Sequence, residues 1–204
     1  MTADRFLLIV VLTVIVNGIL ILRVSGWGLL SEPVRHQGRL PLRNGDLVLR
    51  CSKGLVSDWF RMTSLTDRRF SHAGIFLQTS NGPAVAHVSQ DLPSGLKLEP
   101  LDRFCSSYAS DLVGWARTDL TEIERKKLHS LILKELSSGR EFDDRFSLDE
   151  SRKHYCTEWV REVFISITGD SSYFPVTEVD EFRYVAPDNL YLNTHSSLVR
   201  TFEP

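Results

Sequence analysis

Cysteine is scarce in this chain of 204 residues, and its three copies are far apart: Cys51, Cys105 and Cys156. A disulfide-stabilised scaffold or a zinc ribbon needs paired cysteines, in spacings such as Cys-x-x-Cys, so neither class is expected. A single disulfide between Cys51 and Cys105 is compatible with the sequence, and it would leave Cys156 as a free thiol.

The chain also lacks any concentration of positive charge. Its 24 Lys and Arg residues are spread along the sequence, and the formal net charge is -2 at pH 7. Nucleic-acid binding needs a basic patch or stripe, so we expect no nucleic-acid partner. The length and the 42% of hydrophobic residues fit one globular domain with a substantial core.

A single long apolar run, Phe6 to Leu22, stands near the N-terminus between Arg5 and Arg23. As a helix it would be roughly 25 Å long, close to the hydrocarbon thickness of a bilayer. We therefore predict a signal anchor over residues 1–25, a linker over 26–44 and the folded domain over 45–204. A cleaved signal peptide and a buried core helix are the alternatives.

The predicted location is a single-pass anchor in a bacterial inner membrane, with the domain on the periplasmic side. A short basic start followed by an apolar run is typical of exported proteins. The arginines that follow the run outnumber Arg5 before it, which favours the opposite orientation.

Cys156 is the first candidate catalytic residue, and it lies in the first turn of a predicted helix over 155–169. Unpaired backbone N–H groups and the helix dipole at such a position favour the thiolate and lower the thiol pKa. The alternative is that Cys156 is a small buried residue that packs against Trp159 and Val160.

Two histidines on neighbouring predicted strands are candidate bases. His72 begins one strand, and His87 interrupts an apolar one, where an unpartnered polar ring is costly. A cysteine nucleophile needs a base within hydrogen-bond reach and a third group that orients the base. If the Asn-Gly pair at 81–82 forms the turn, His87 faces Phe76 and lies about 13 Å along the sheet from His72. Direct pairing of the histidines would need a turn centred near 79–80, or a bulge.

The order of motifs resembles the permuted papain-fold hydrolases, the YiiX/YebB-like branch of the NlpC-type cysteine amidases. The motifs are GDLVL (45–49), SHAGIF (71–76), AVAHVS (84–89), FDDRF (142–146), YCTEWV (155–160) and APDNL (186–190). The histidine precedes the cysteine, the reverse of ordinary papain-like enzymes. The resemblance implies an α+β fold in which an antiparallel sheet packs against helices, here preceded by the predicted N-terminal transmembrane helix.

By position, the resemblance implies that Cys156 is the nucleophile, His72 the general base and His87 the third polar residue, where many relatives have Glu. It implies cleavage of amide, peptide-like bonds with no cofactor and no metal ion. The expected substrates are peptides, cell-wall fragments or acyl lipids. Three further acids match motif positions that we expect to support the site rather than react: Asp46, Asp143 and Glu158.

Other functions remain open from the sequence. A lipid-directed thiol acyltransferase or lipase would need an apolar groove beside Cys156, lined by Trp59, Phe60, Trp159 and Phe174, which could equally fill the core. A membrane-tethered binding domain could keep the fold without catalysis. Zinc could be held by Cys156, His72 and His87. We expect His154 to be structural, and residues 89–105 to form a specificity loop without a motif.

Overall fold

A six-stranded sheet, in which every neighbouring pair is antiparallel, is the centre of the fold. The structure is a computed structural model that describes residues 41–146, 148 and 153–204. The sheet order is β10-β5-β1-β2-β3-β4. The strands are β1 (Leu47–Ser52), β2 (His72–Thr79), β3 (Gly82–Ser89), β4 (Gly95–Pro100), β5 (Ser110–Thr118) and β10 (Ser196–Phe202).

Four helices and two small strand pairs complete the described chain. The helices are α1 (Leu55–Met62), α2 (Leu101–Phe104), α3 (Glu122–Leu136) and α4 (Cys156–Thr168), with a 3-10 turn at Pro187–Leu190. The strand pairs are the parallel β6 (Glu141–Phe142) with β7 (Lys153–His154), and the antiparallel β8 (Thr177–Val179) with β9 (Phe182–Tyr184). The predicted α+β class, with an antiparallel sheet against helices, is confirmed.

The predicted signal anchor and most of the predicted linker lie outside the described residues, so the boundaries at 25 and 44 stay predictions. Within residues 41–146, 148 and 153–204, every helix is too short or too polar to cross a bilayer.

Alternation along the strands gives the sheet two packed faces. Leu47 and Leu49 of β1 enter the larger core, which contains residues of α3 and α4, whereas Val48 enters a smaller one with Phe104 and Trp115. Successive side chains of a strand point to opposite faces, which explains the division. Burying each such side chain stabilises the fold by about 1.5–3 kcal/mol.

The β2–β3 hairpin has a different register from the predicted one. Thr79 pairs with Gly82 and Ile75 with Ala86, so the turn is centred on residues 80–81 rather than 81–82. Continuing this register sets His87 beside Gly74, two positions nearer to His72 than predicted. A Cβ at Gly74 would lie 3.0 Å from the His87 Cβ. The strands can approach this closely because Gly74 has no side chain.

One further expectation fails, and one alternative that the sequence left open is decided. Residues 89–105, predicted as a loop, contain strand β4 and helix α2. The cysteines at 51 and 105 are free, as is Cys156, so the disulfide allowed by the sequence is absent.

Candidate active site

Cys156 is the first residue of α4 and is only 4% exposed. Burial raises the pKa of its thiol to about 11, and the backbone N–H groups of Ala73 and Thr157 and the charge of Arg50 oppose that shift only in part. The expected lowering of the pKa at the helix N-terminus is therefore wrong for this structure, because desolvation exceeds the effect of the local N–H groups. At neutral pH the group is a thiol.

The two predicted histidines do come together. His72 Nε2 lies 2.8 Å from His87 Nδ1, and the two rings meet edge to face. Direct opposition on the strands is not required, because diagonal neighbours across a hairpin are within reach of ring side chains. His87 is fully buried, whereas His72 is partly exposed.

Glu99, on β4, continues the chain of contacts beyond His87. Its Oε2 lies 3.2 Å from His87 Nε2 and 3.5 Å from Arg50 Nη1, and its Oε1 lies 3.1 Å from Arg103 Nε. The His87 contact has the distance of an ion pair but not the alignment of a linear hydrogen bond. We treat it as an electrostatic contact that orients the His87 ring.

Arg50 and Phe104 hold this chain in place. The Arg50 guanidinium packs 4.3 Å from the centroid of the Phe104 ring and donates to the Phe104 carbonyl at 3.3 Å. The same ring contacts His72 and His87, at centroid distances of 5.7 and 5.1 Å. The imidazoles are thus restrained by packing as well as by polar contacts.

Both imidazoles are neutral at pH 7. Burial, followed by the charge of Arg50, lowers the pKa of His72 well below 6.5. Burial also lowers the pKa of His87, and the contact with Glu99 offsets only part of that effect. A neutral His72 can accept a proton, as a general base must.

Cys156 and His72 open into one cavity of about 590 Å³. Among the described residues, no hydrogen bond joins the His72 ring to the Cys156 thiol; such contacts are commonly longer in the free enzyme than in the substrate complex. The cavity wall contains side chains of both charges, and the cations outnumber the acids. The cations are Arg50, Lys53, Lys97 and Arg103, and the acids are Asp91 and Glu99.

Family comparison identifies the enzyme class. The model of the YaeF/YiiX family, described as a permuted papain-like amidase enzyme, matches residues 41–181. The chain belongs to this family. It is therefore a cysteine hydrolase of the amidase and peptidase type, and the sequence-based prediction of an enzyme is confirmed.

A solved structure has the same fold. The crystal structure of metalloprotein YiiX from Escherichia coli aligns with a TM-score of 0.66 at 17% identity, covering 79% of this chain and 98% of that one. Identity at that level supports the fold alone. A search of curated proteins found no match.

The three supporting acids of the family motifs lie away from the cavity wall. Asp46 lies 2.9 Å from Arg117 Nε and 3.3 Å from Arg125 Nη1, between strands and a helix. Asp143 is fully buried next to β6, and Glu158 accepts from the Tyr155 N–H at 3.3 Å in the first turn of α4. These positions anchor elements around the site.

His154 is buried and contacts Arg140, with its Nδ1 3.2 Å from the Arg140 Nη1. Burial and Arg140 together lower its pKa to about 4. It does not line the cavity, in agreement with the expected structural role.

Sequence reasoning missed Glu99 and Arg50. The signal for Glu99 was the alternation of apolar and polar residues in Leu96-Lys97-Leu98-Glu99, which is typical of a strand. Arg50 carried no local signal, because a single arginine in a strand is usually a solvated surface residue.

Proposed function

We propose that the protein is a membrane-anchored cysteine amidase in which Cys156 is the nucleophile, His72 the base and His87 the group that orients the base. One observation carries this proposal: a buried thiol at a helix start and a neutral imidazole, held from behind by a second imidazole, open into the same cavity. Family membership supplies the reaction class.

The reaction follows from these groups. The Cys156 sulfur attacks the amide carbonyl carbon while its proton passes to His72, and His72 then gives that proton to the leaving amine. Water then attacks the thioester carbonyl carbon while its proton passes to His72; the carbon–sulfur bond breaks, the acid is released, and His72 returns the proton to the Cys156 sulfur. Backbone N–H groups in the first turn of α4 are the donors proposed for the oxyanion.

The proposed substrates are peptides, cell-wall fragments or acyl lipids, met at a membrane surface. The apolar run between Arg5 and Arg23 supports attachment to the inner membrane, and the short basic start before that run supports a periplasmic domain.

A lipid-directed acyltransferase or lipase is the second candidate, and one observation favours it. Apolar side chains at the cavity mouth are exposed: Val56 is 45% exposed, Leu92 93% and Tyr108 88%, and Trp59 on α1 is 54% exposed. Of the four aromatic residues considered for a groove, Phe60 lines the cavity, while Trp159 and Phe174 are buried in the core. An acyl chain could rest on this apolar rim.

YiiX is a metalloprotein, which raises the question of a metal site in this chain. In the described part of the chain, no three His, Cys, Asp or Glu side chains are grouped to hold an ion. The nitrogens of His72 and His87 that face each other are 2.8 Å apart and share a hydrogen bond, so they do not converge on one ion. We derive no step through a metal.

Covalent trapping tests the proposal. Full-length protein is mixed with p-nitrophenyl acetate, and intact mass and p-nitrophenol release are followed together. We expect one acetyl group, mapped to Cys156, and none in Cys156→Ala, because the thioester forms only on the nucleophile. Cys51→Ser, which removes a half-exposed thiol, is the matched control and should acylate normally. Acetylation at Cys51, or an unchanged burst in Cys156→Ala, would overturn the proposal.

Substrate choice separates the two candidates. Peptidyl p-nitroanilides are compared with p-nitrophenyl esters of increasing acyl length. Turnover of the anilides supports the amidase. The lipid-directed enzyme would instead be favoured by a wild-type kcat/KM that rises with acyl length. In Trp59→Ser, kcat/KM should then fall for the long acyl chains and not for the short ones.

A further inference from the structure

We propose that Glu99, acting through His87, holds His72 in the tautomer that leaves its Nδ1 free to accept the Cys156 proton. The inference rests on the proposed roles of Cys156 and His72. It adds a positioning residue from a neighbouring strand, at a site where the family motif ends with the residue at position 87.

Glu99 has the geometry of a fixed carboxylate. In the β3–β4 register His87 pairs with Lys97, so Glu99 is its diagonal neighbour on the same face of the sheet. Burial alone would raise the pKa of Glu99, but its contacts with His87, Arg50 and Arg103 together lower it below the usual value. The Glu99 side chain is 16% exposed and that of Arg50 6%, so solvent screens this pair only weakly, whereas Arg103 is 79% exposed and its charge is screened more.

A carboxylate can only accept hydrogen bonds, which decides where the His87 proton lies. Because Oε2 of Glu99 is 3.2 Å from His87 Nε2, a lone pair on that nitrogen would face the negative charge. The neutral ring therefore carries its proton on Nε2. Its Nδ1 has a lone pair and can only accept.

The same reasoning about donors and acceptors shows which nitrogen of His72 carries the proton. The 2.8 Å contact between His87 Nδ1 and His72 Nε2 needs one proton between the two nitrogens, and His87 cannot supply it from Nδ1. The proton therefore belongs to His72 Nε2. Since neutral imidazole carries one N–H, His72 Nδ1 is left with the lone pair.

This arrangement also serves the step after proton transfer. When Cys156 gives its proton to His72 Nδ1, the resulting imidazolium keeps its Nε2–H bond to His87, and His87 keeps its own proton on Nε2, beside the Glu99 carboxylate. No proton beyond the one from the thiol has to move. The positive charge on His72 is stabilised through His87 by the carboxylate.

Glu99→Gln should reverse the tautomers while keeping the side-chain volume. The amide oxygen is expected to keep the shortest contact of the carboxylate, to the Arg103 Nε donor at 3.1 Å, which turns the NH₂ toward His87 Nε2. The NH₂ then donates to that nitrogen and places the His87 proton on Nδ1 and the His72 proton on its own Nδ1. His72 then has no lone pair for the thiol. Outer positioning groups of this kind typically change activity by about 10- to 100-fold when lost.

Nitrogen-15 NMR of the full-length protein labelled at histidine tests the inference directly, since the chain has only six histidines. Long-range nitrogen–proton correlations report which ring nitrogen is protonated. In the wild type at pH 7 we expect Nε2–H for both His72 and His87. In Glu99→Gln we expect Nδ1–H for both. Glu141→Gln, at a carboxylate that is 70% exposed and paired with Lys153, is the matched control and should leave both tautomers unchanged.

Kinetics provide the second readout. We expect kcat of Glu99→Gln to fall by about 10- to 100-fold, with KM within about twofold, and Glu99→Asp to recover part of the loss because it restores a carboxylate. If Glu99 only filled space, its replacement would leave the tautomers of both histidines unchanged. Glu99→Asp, which has a smaller side chain, would then not recover activity.

The outcomes separate the two proposals. Nδ1–H on His72 in the wild type, or unchanged tautomers in Glu99→Gln, would overturn the role of Glu99 even if Cys156 is acetylated. Should Glu99→Gln fail to fold, the wild-type spectrum still decides. If Cys156 is not acetylated while the tautomers are as expected, the proposed function fails and the positioning of His72 by Glu99 stands.

Discussion

Two carboxylates that contact arginines do different work: Asp46, which is fully buried, and Glu99 on β4, whose side chain is 16% exposed. Asp46 directly precedes strand β1 and contacts Arg117 and Arg125, whereas Glu99 contacts Arg50, further along β1, together with His87. The partners of Asp46 are arginines that stay charged at every physiological pH, and the network is closed to the cavity. The network of Glu99 ends on two imidazoles, one of which lines the cavity.

The difference shows that similar contacts between a carboxylate and arginines can contribute either to the stability of the fold or to the reaction. Asp46 joins β1, β5 and α3 through permanent charges, so its contribution is to stability. Glu99 acts on groups whose protons can move, so its contribution is to the state of a base. Arginine partners alone therefore do not indicate which role a carboxylate has. The contact with His87, a group that can gain or lose a proton, is what distinguishes Glu99.

Removal of the His72 side chain should produce the largest effect, and it should lower the activity without lowering the stability of the fold. We expect His72→Ala to lower kcat/KM by about 10³-fold, the usual range for loss of a general base, with the free energy of unfolding within about 1 kcal/mol of wild type. His195→Ala is the control, since His195 also has a carboxylate neighbour, Asp119 at 3.0 Å, outside the cavity. Equal loss in both variants would remove His72 from the reaction.

Removal of the Asp46 charge should show the opposite pattern. Asp46→Asn leaves the buried Arg125 without its counter-ion, so the free energy of unfolding in urea should fall by roughly 3 kcal/mol. The kcat per folded molecule should stay within twofold. Asp58→Asn breaks an exposed pair with Arg61 and should cost less than about 0.5 kcal/mol. A large fall in kcat for Asp46→Asn would contradict the division between the two networks.

Glu158 is a further buried acid, and it sharpens the comparison because it forms no ion pair among the residues that the structure describes. Burial, with a smaller effect from Asp143, raises its pKa to about 8. The folded state therefore favours the protonated acid, and wild-type stability should decline as the pH rises from about 4.5, the unfolded value, to about 8.

Glu158→Gln keeps the oxygen that accepts from the Tyr155 N–H and removes the ionisation. Relative to wild type, its free energy of unfolding should increase by roughly 1–3 kcal/mol between pH 5 and pH 8.5. Glu178→Gln, an exposed acid paired with Arg183, should show no such trend. Parallel pH profiles for wild type and Glu158→Gln would mean that Glu158 ionises normally in the folded protein.

Features set by neighbouring residues were predictable from the sequence. The Thr121 capping box begins α3, and Gly169 in the left-handed conformation ends α4, as their residue types indicate. The hairpin register was not predictable from Asn-Gly alone. Thr79 Oγ1 accepts from the Asn81 N–H at 3.2 Å and donates to the Gly82 carbonyl at 2.8 Å, which fixes a turn one residue earlier.

The site was predictable in its residue types and not in its electrostatics. Cys156, His72 and His87 each carried a local signal, but Glu99 meets His87 only because β4 pairs with β3. The pKa of Cys156 shows the same limit. The helix N-terminus could be inferred from sequence, whereas the burial that raises the pKa depends on how α4 packs against the sheet.

The chain order of the fold has a consequence for biosynthesis. Strands β1 to β4 contain Arg50, His72, His87 and Glu99, and all of them leave the ribosome well before Cys156. Because domains generally fold as units, these four residues cannot form a working site before Cys156 has been translated and α4 has packed against the sheet. A nascent polypeptide that ends before residue 156 therefore has no nucleophile, and β10, an edge strand of the sheet, follows α4 in the chain.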